Sequence, residues 1–226
     1  MSSLLITQES FLSVADRWEH LLRRSRNNNV FLSPAWQKTW WDTLSNGNEL
    51  MLYGCQKDDE LVGIIPLKRK DNQVSFIGSS NLCDYMDFIV DRRFEKEVYK
   101  GIVQHVLGLN WDHLELKGVS GSSPTVSYLV GLLREENIKV HLSPEEVCPK
   151  VDLPSNWEQY LETLNKKDRH ELRRKLRRLY SSGEVKFYVA ADSDRFINDI
   201  DEFISLLELS RTDKAEFMTS DIRVFF

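Results

Sequence analysis

Leu50-Met51-Leu52-Tyr53-Gly54-Cys55 and Leu61-Val62-Gly63-Ile64-Ile65-Pro66-Leu67 are the stretches that decide the fold. The polar run Lys57-Asp58-Asp59-Glu60 lies between them. Two apolar runs rich in β-formers, joined by a short polar turn, read as an antiparallel hairpin. Upstream, Ile6 opens a short extended start. Phe11, Val14, Ala15, Trp18, Leu21 and Leu22 then recur at helical spacing, so residues 9–25 read as an amphipathic helix ended by Arg26-Asn27-Asn28-Asn29. Ser33 is placed to cap a second helix, with Pro34 at its first position, where a missing N–H costs nothing. That helix carries Trp36, Trp40 and Trp41, whose spacing reads as core, and Asn46-Gly47-Asn48 follows as a loop.

Downstream, Val74–Ile77 and Met86–Val90 read as strands and Phe94–Leu109 as a helix. His113–Leu116 alternates polar and apolar, as a half-buried strand does. Pro124–Glu136 reads as a helix with a stripe of Val126, Leu129, Val130 and Leu133, and Ile138–Leu142 as one more strand. The fold class is therefore mixed α/β (α+β), a sheet flanked by helices, over residues 1–148. Pro144, Pro149 and Pro154 then mark a seam, because proline fixes φ and cannot donate to a ladder. Beyond it come helices over 155–164 and 166–182, a strand Val185–Ala190 and a helix over 194–210. A lone strand cannot build a sheet. Residues 149–226 therefore read as the truncated start of a second domain, with the alternative that its last helices pack on the first.

The chain has 226 residues, 41% of them hydrophobic and 29% charged, with a net charge of −5. This is the composition of a soluble globular protein and excludes disordered and collagen-like chains. No apolar run approaches the roughly 20 residues of a membrane helix. Met1–Ile6 lacks the basic segment of a signal peptide. Cys55, Cys83 and Cys148 are odd in number and form no CxxC pair, so no disulfide framework is expected and the compartment reads as cytoplasmic. The five histidines show no ligand spacing, and no metal site is expected.

The strongest local signal is Lys166–Arg178, with eight Lys or Arg and two acids. Leu172, Leu176 and Leu179 give its helix one narrow apolar stripe, beside a row of Arg169, Arg173 and Arg177. Stacked cations are relieved by an anion, and the planar fork of arginine suits phosphate. Lys167, Arg169, Arg173, Arg174 and Arg177 are the candidate anion- or cofactor-binding residues. The anion reads equally as a CoA-type phosphate, RNA, an acidic saccharide or a membrane surface. Pairing with the acidic stretch 184–223 is the bland alternative. A second cluster, Asp84-Tyr85-Met86-Asp87, lies in a polar loop between strands. Asp84, Tyr85 and Asp87 are candidate substrate-binding residues, since carboxylates near a phenol position an amine or act as a base. Turn capping is the alternative there.

Phe31-Leu32-Ser33-Pro34-Ala35-Trp36 with Trp40, Leu61–Leu67, and Phe76-Ile77-Gly78 followed by Cys83–Asp87 resemble successive landmarks of one protein group. Val151-Asp152-Leu153-Pro154, Trp157, Tyr160-Leu161 and Arg169 with Leu172–Arg178 look like the start of its second domain. The group is that of the GNAT-like acyltransferases of the cellulose-biosynthesis type, related to the Fem-type aminoacyltransferases. The resemblance covers nearly the whole chain. It implies tandem GNAT-like domains, acetyl-CoA or another acyl-CoA as donor, and transfer to an amine of a saccharide or envelope precursor in exopolysaccharide assembly. The alternatives it implies are a Fem-like enzyme using charged tRNA and a non-catalytic binding module. The chain departs from the pattern in lacking an R/Q-x-x-G-x-G/A phosphate loop and in stopping before the second domain's sheet, so no catalytic residue is carried over and the expectation is an N-terminal fragment inactive by itself.

Overall fold

Both central residues of the turn between the two apolar runs adopt positive φ, Asp58 at 49° and Asp59 at 63°. That geometry matches the twist of paired strands and closes a two-residue hairpin. The computed structural model describes residues 3–189 and 193–226. The hairpin strands are β2, Glu49–Lys57, and β3, Glu60–Lys70. Asp71 and Asn72, at 49° and 59°, turn β3 in the same way into β4, Gln73–Phe76. β1, Leu5–Gln8, adds antiparallel to β2.

Every residue from Leu61 to Leu67 is buried, so β3 is covered on both faces, as a central strand must be. Helices α1, Phe11–Arg24, and α3, Glu95–Leu107, both pack on it. Gly63 permits this closeness, since a Cβ there would stand 2.8 Å from Val98 Cγ1 of α3. Ser33 caps α2, Pro34–Leu44, by accepting the Trp36 N–H. Trp18 is fully buried and donates its ring N–H to the Leu32 carbonyl at 3.0 Å.

The far side of β3 is paired by two separate pieces. β4 pairs Leu67–Lys70, and β5, Ile89–Val90, pairs Gly63 and Ile64. Between them residues 78–88 leave the sheet. α3 then carries the chain to β6, His113–Glu115, which lies parallel to β4 with Val74 opposite Leu114. The sheet is thus mixed, in the order β1-β2-β3-β4-β6 with β5 beside β3.

Several expectations are corrected. Only Ile89 and Val90 of the strand read over 86–90 enter the ladder; the Phe88 N–H is taken by the Asp87 carboxylate at 2.8 Å. The helix read over 124–136 is a π-helical turn, Thr125–Leu129, followed by α4, Val130–Glu135. Asn137 ends α4 at φ 61°, and the Ile138 N–H returns to the Leu133 carbonyl. Residues 138–142 pair with no strand among the described residues, so that expected strand is absent. Residues 185–189 are likewise unpaired and exposed, and Ala190 lies outside the described residues.

The chain divides into two units, Met1–Glu145 with Arg211–Phe226, and Glu146–Ser210. The division differs from the sequence-based one at 148/149 by returning residues 211–226 to the first unit. They form α8, Thr212–Phe217, and α9, Ser220–Phe225, neither of which the periodicity indicated. The reason is apolar contact: Phe225 of α9 packs edge-on against Trp36 of α2 at 5.0 Å. The second unit holds α5, Trp157–Thr163, α6, Lys166–Ser181, and α7, Ser193–Ser210. Among the described residues no helix is long and apolar enough to cross a membrane.

Candidate functional site

The loop 78–88 divides its three candidate residues. Asp84 is exposed, Tyr85 is half-buried and Asp87 is 3% exposed. Of the two carboxylates expected to flank the phenol, Asp84 is thus in solvent while Asp87 turns into the first unit. A three-residue spacing in a loop does not put side chains on one face, as it would in a helix.

Asp87 is the centre of a closed polar network. Its Oδ2 accepts from Ser123 Oγ at 2.5 Å and from Asn27 Nδ2 at 2.5 Å. Its Oδ1 accepts the Phe88 N–H and the Thr125 hydroxyl. Tyr99, on α3, shares a 2.8 Å hydrogen bond with Thr125 Oγ1. Because Thr125 donates its one hydrogen to Asp87, the Tyr99 hydroxyl donates in turn, and the chain of donors runs Tyr99, Thr125, Asp87. Ser123 Oγ also accepts the Thr125 N–H at 3.0 Å. A carboxylate offers about four lone-pair sites, and here all have donors.

Burial lifts the Asp87 carboxyl to about 6, against hydrogen bonds from Ser123, Thr125, the Phe88 N–H and Asn27 that hold it down. Desolvation disfavours the charged form by more than the donors recover. Burial, then the neighbouring Asp87 charge, raises Tyr99. The result is a carboxyl that titrates near neutrality, riveting the loop before β5 to the turn after β6.

A second cluster sits where β3 meets the start of loop 78–88. Lys68 Nζ donates to the Phe76 and Gly78 carbonyls at 2.5 and 2.6 Å and lies 4.7 Å from the Trp40 ring centre. Burial lowers its ammonium to about 8. Cys83 accepts from the Trp36 ring N–H at 3.4 Å, and burial raises its thiol. A buried, protonated thiol is a poor nucleophile, so Cys83 serves here as a small core residue.

In the second unit, α6 forms as the sequence indicates, capped by Asn165, whose side chain accepts the Asp168 N–H at 2.9 Å, but its leucine stripe is not buried: Leu172 and Leu176 are half-buried and Leu179 is exposed. Arg173 pairs with Glu158 at 3.2 Å and Arg174 with Glu171 at 2.7 Å. Arg169 donates to the Leu164 carbonyl. Lys167 and Arg177 have no ion-pair partner among the described residues. Within the stretch 184–223, Lys186 pairs with Glu184, Arg195 with Asp199 and Arg211 with Asp213.

Sequence reasoning missed Asn27, Lys68, Tyr99, Ser123 and Thr125. The hydroxyl-dense run Ser120-Gly121-Ser122-Ser123-Pro124-Thr125 was the one signal for the last two. Among the described residues, no group of three His, Cys, Asp or Glu is placed to hold a metal ion. No family model, curated protein or solved structure matches this chain.

Proposed function

We propose that the chain acts in N-acyl transfer of the GNAT type, from an acyl-CoA to an amine of a saccharide or envelope precursor. One relationship supports this reading beside the sequence resemblance. The antiparallel strands β1–β4 lead through α3 to a parallel strand β6, and the sheet opens where residues 78–88 leave it between β4 and β5. A loop that leaves a rigid sheet in this way is a common seat for a binding site.

The residues of α6 fit the anionic end of an acyl-CoA. Lys167 and Arg177 would hold phosphate directly, while Arg173 and Arg174 would exchange Glu158 and Glu171 for it. The donor would supply an activated thioester. This chain's part is to bind and orient it, since holding two reactants in the attacking geometry removes a large entropic part of the barrier.

The test is release of CoA thiol from acetyl-CoA by the chain in the presence of a panel of primary amines, amino sugars included. Amine-dependent release is expected. Acetyl-CoA binding with no release by any amine favours a second reading, a GNAT-like binding module. The observation that favours this reading is Asp87, which is 3% exposed and whose four donors all come from the protein itself, so that no substrate is within its reach. The tRNA-dependent alternative rests on the cations of α6 and requires affinity for tRNA that falls steeply with salt.

A further inference from the structure

A cavity of about 310 Å³ lies in the first unit between β6, α4 and residues 138–142. Trp111, Leu114, Leu129, Leu133, Ile138 and Val140 supply its walls. Thr125 also lines it, but its one hydroxyl hydrogen is committed to Asp87, so it offers the interior no donor. A cavity walled this way favours an apolar occupant over water. Of the ionisable side chains in the lining, three can carry positive charge and one, Asp112, carries negative charge. His113, Lys139 and His141 are exposed, and none has an ion-pair partner among the described residues. The single lining acid, Asp112, accepts from Asn72 at 3.4 Å.

We infer that this cavity binds the alkyl chain of an anionic amphiphile, with its carboxylate among Lys139, His113 and His141. At roughly 30 Å³ for each small group, the volume takes a chain of about ten carbons. Lys139 brings positive charge and the two imidazoles bring ring N–H donors, which together select an anionic head over a cationic one. The inference does not rest on the acyl-transfer reading, since it draws only on the lining of this cavity.

The experiment is calorimetric titration of the full chain with hexanoate, octanoate and decanoate, and with decyltrimethylammonium as the cationic control. One-to-one binding is expected, tightening about fourfold per methylene until the cavity is full and then levelling off. The cationic control should bind more weakly than decanoate. Lys139→Glu should weaken decanoate about fivefold, the scale of one exposed ion pair. Val130→Phe narrows the cavity and should move the levelling to a shorter chain. If that variant fails to fold by circular dichroism, the exposed substitution Lys139→Glu still decides the matter. No saturable binding, no gain with chain length, or equal binding of decanoate by wild type and Lys139→Glu would overturn the inference.

Discussion

The hydroxyl of Thr125 donates to the carboxylate of Asp87, 38 residues earlier in the chain. That single bond joins the loop before β5 to the π-helical turn after β6, and so spans the place where the sheet opens. Side chains thus reinforce a contact between two elements that share no ladder and are otherwise joined by the Met86 N–H donating to the Gly118 carbonyl at 3.0 Å. The cavity and the carboxyl therefore share one residue.

Asp87 should give the protein a distinctive acid limb. Its carboxyl holds a proton more tightly when folded, at about 6 against an ordinary 3.8. Between those values the folded chain binds more protons than the unfolded one, so stability falls as pH rises through about 4 to 6. At about 1.36 kcal/mol per unit, the effect is on the order of 3 kcal/mol. Thermal melts of wild type and Asp87→Asn across this window should diverge by that amount, wild type gaining at the acid end. Parallel curves would refute a raised carboxyl.

Tyr99 and Thr125 should act as one unit. Thr125→Val leaves a 1%-exposed Tyr99 hydroxyl without its acceptor. Tyr99→Phe removes the donor instead. Each should cost about 1–3 kcal/mol in urea unfolding, the range for a buried polar group left unpaired. The double variant should cost less than the sum by roughly 1 kcal/mol. Strict additivity would separate the two hydroxyls.

The β2–β3 turn can be improved. Asp59 sits at φ 63°, a conformation glycine adopts without strain. Asp59→Gly should raise stability by about 0.5–1 kcal/mol, because a two-residue hairpin turn with both φ positive prefers glycine at its second position. An unchanged or lowered midpoint would contradict the turn assignment.

What the sequence revealed was local. Ser33 and Pro34 announce the start of α2 because a cap and a fixed φ act within one turn. The hairpin is legible because its turn residues lie between its own strands. The Asp87 network was not legible, since Asn27, Ser123 and Thr125 lie 60, 36 and 38 residues away. A local pattern says only that Asp87 is polar, which suits a turn as well as a buried rivet. The strands read over 138–142 and, within the described residues, over 185–189 failed for a related reason. Apolar, β-branched residues report a preference for pleated surface, and only a partner converts the preference into a ladder. Phe225 shows the converse: a terminal aromatic without periodicity found Trp36.

The acyl-transfer account is tested most directly by equilibrium titration of the chain with acetyl-CoA at low and at physiological salt. The account predicts saturable one-to-one binding that weakens with salt. It also predicts a further loss of roughly tenfold or more when Lys167 and Arg177 are both changed to Glu, since each reversal removes a phosphate contact. Absence of saturable binding at low salt, or binding that is indifferent to both reversals, would contradict it.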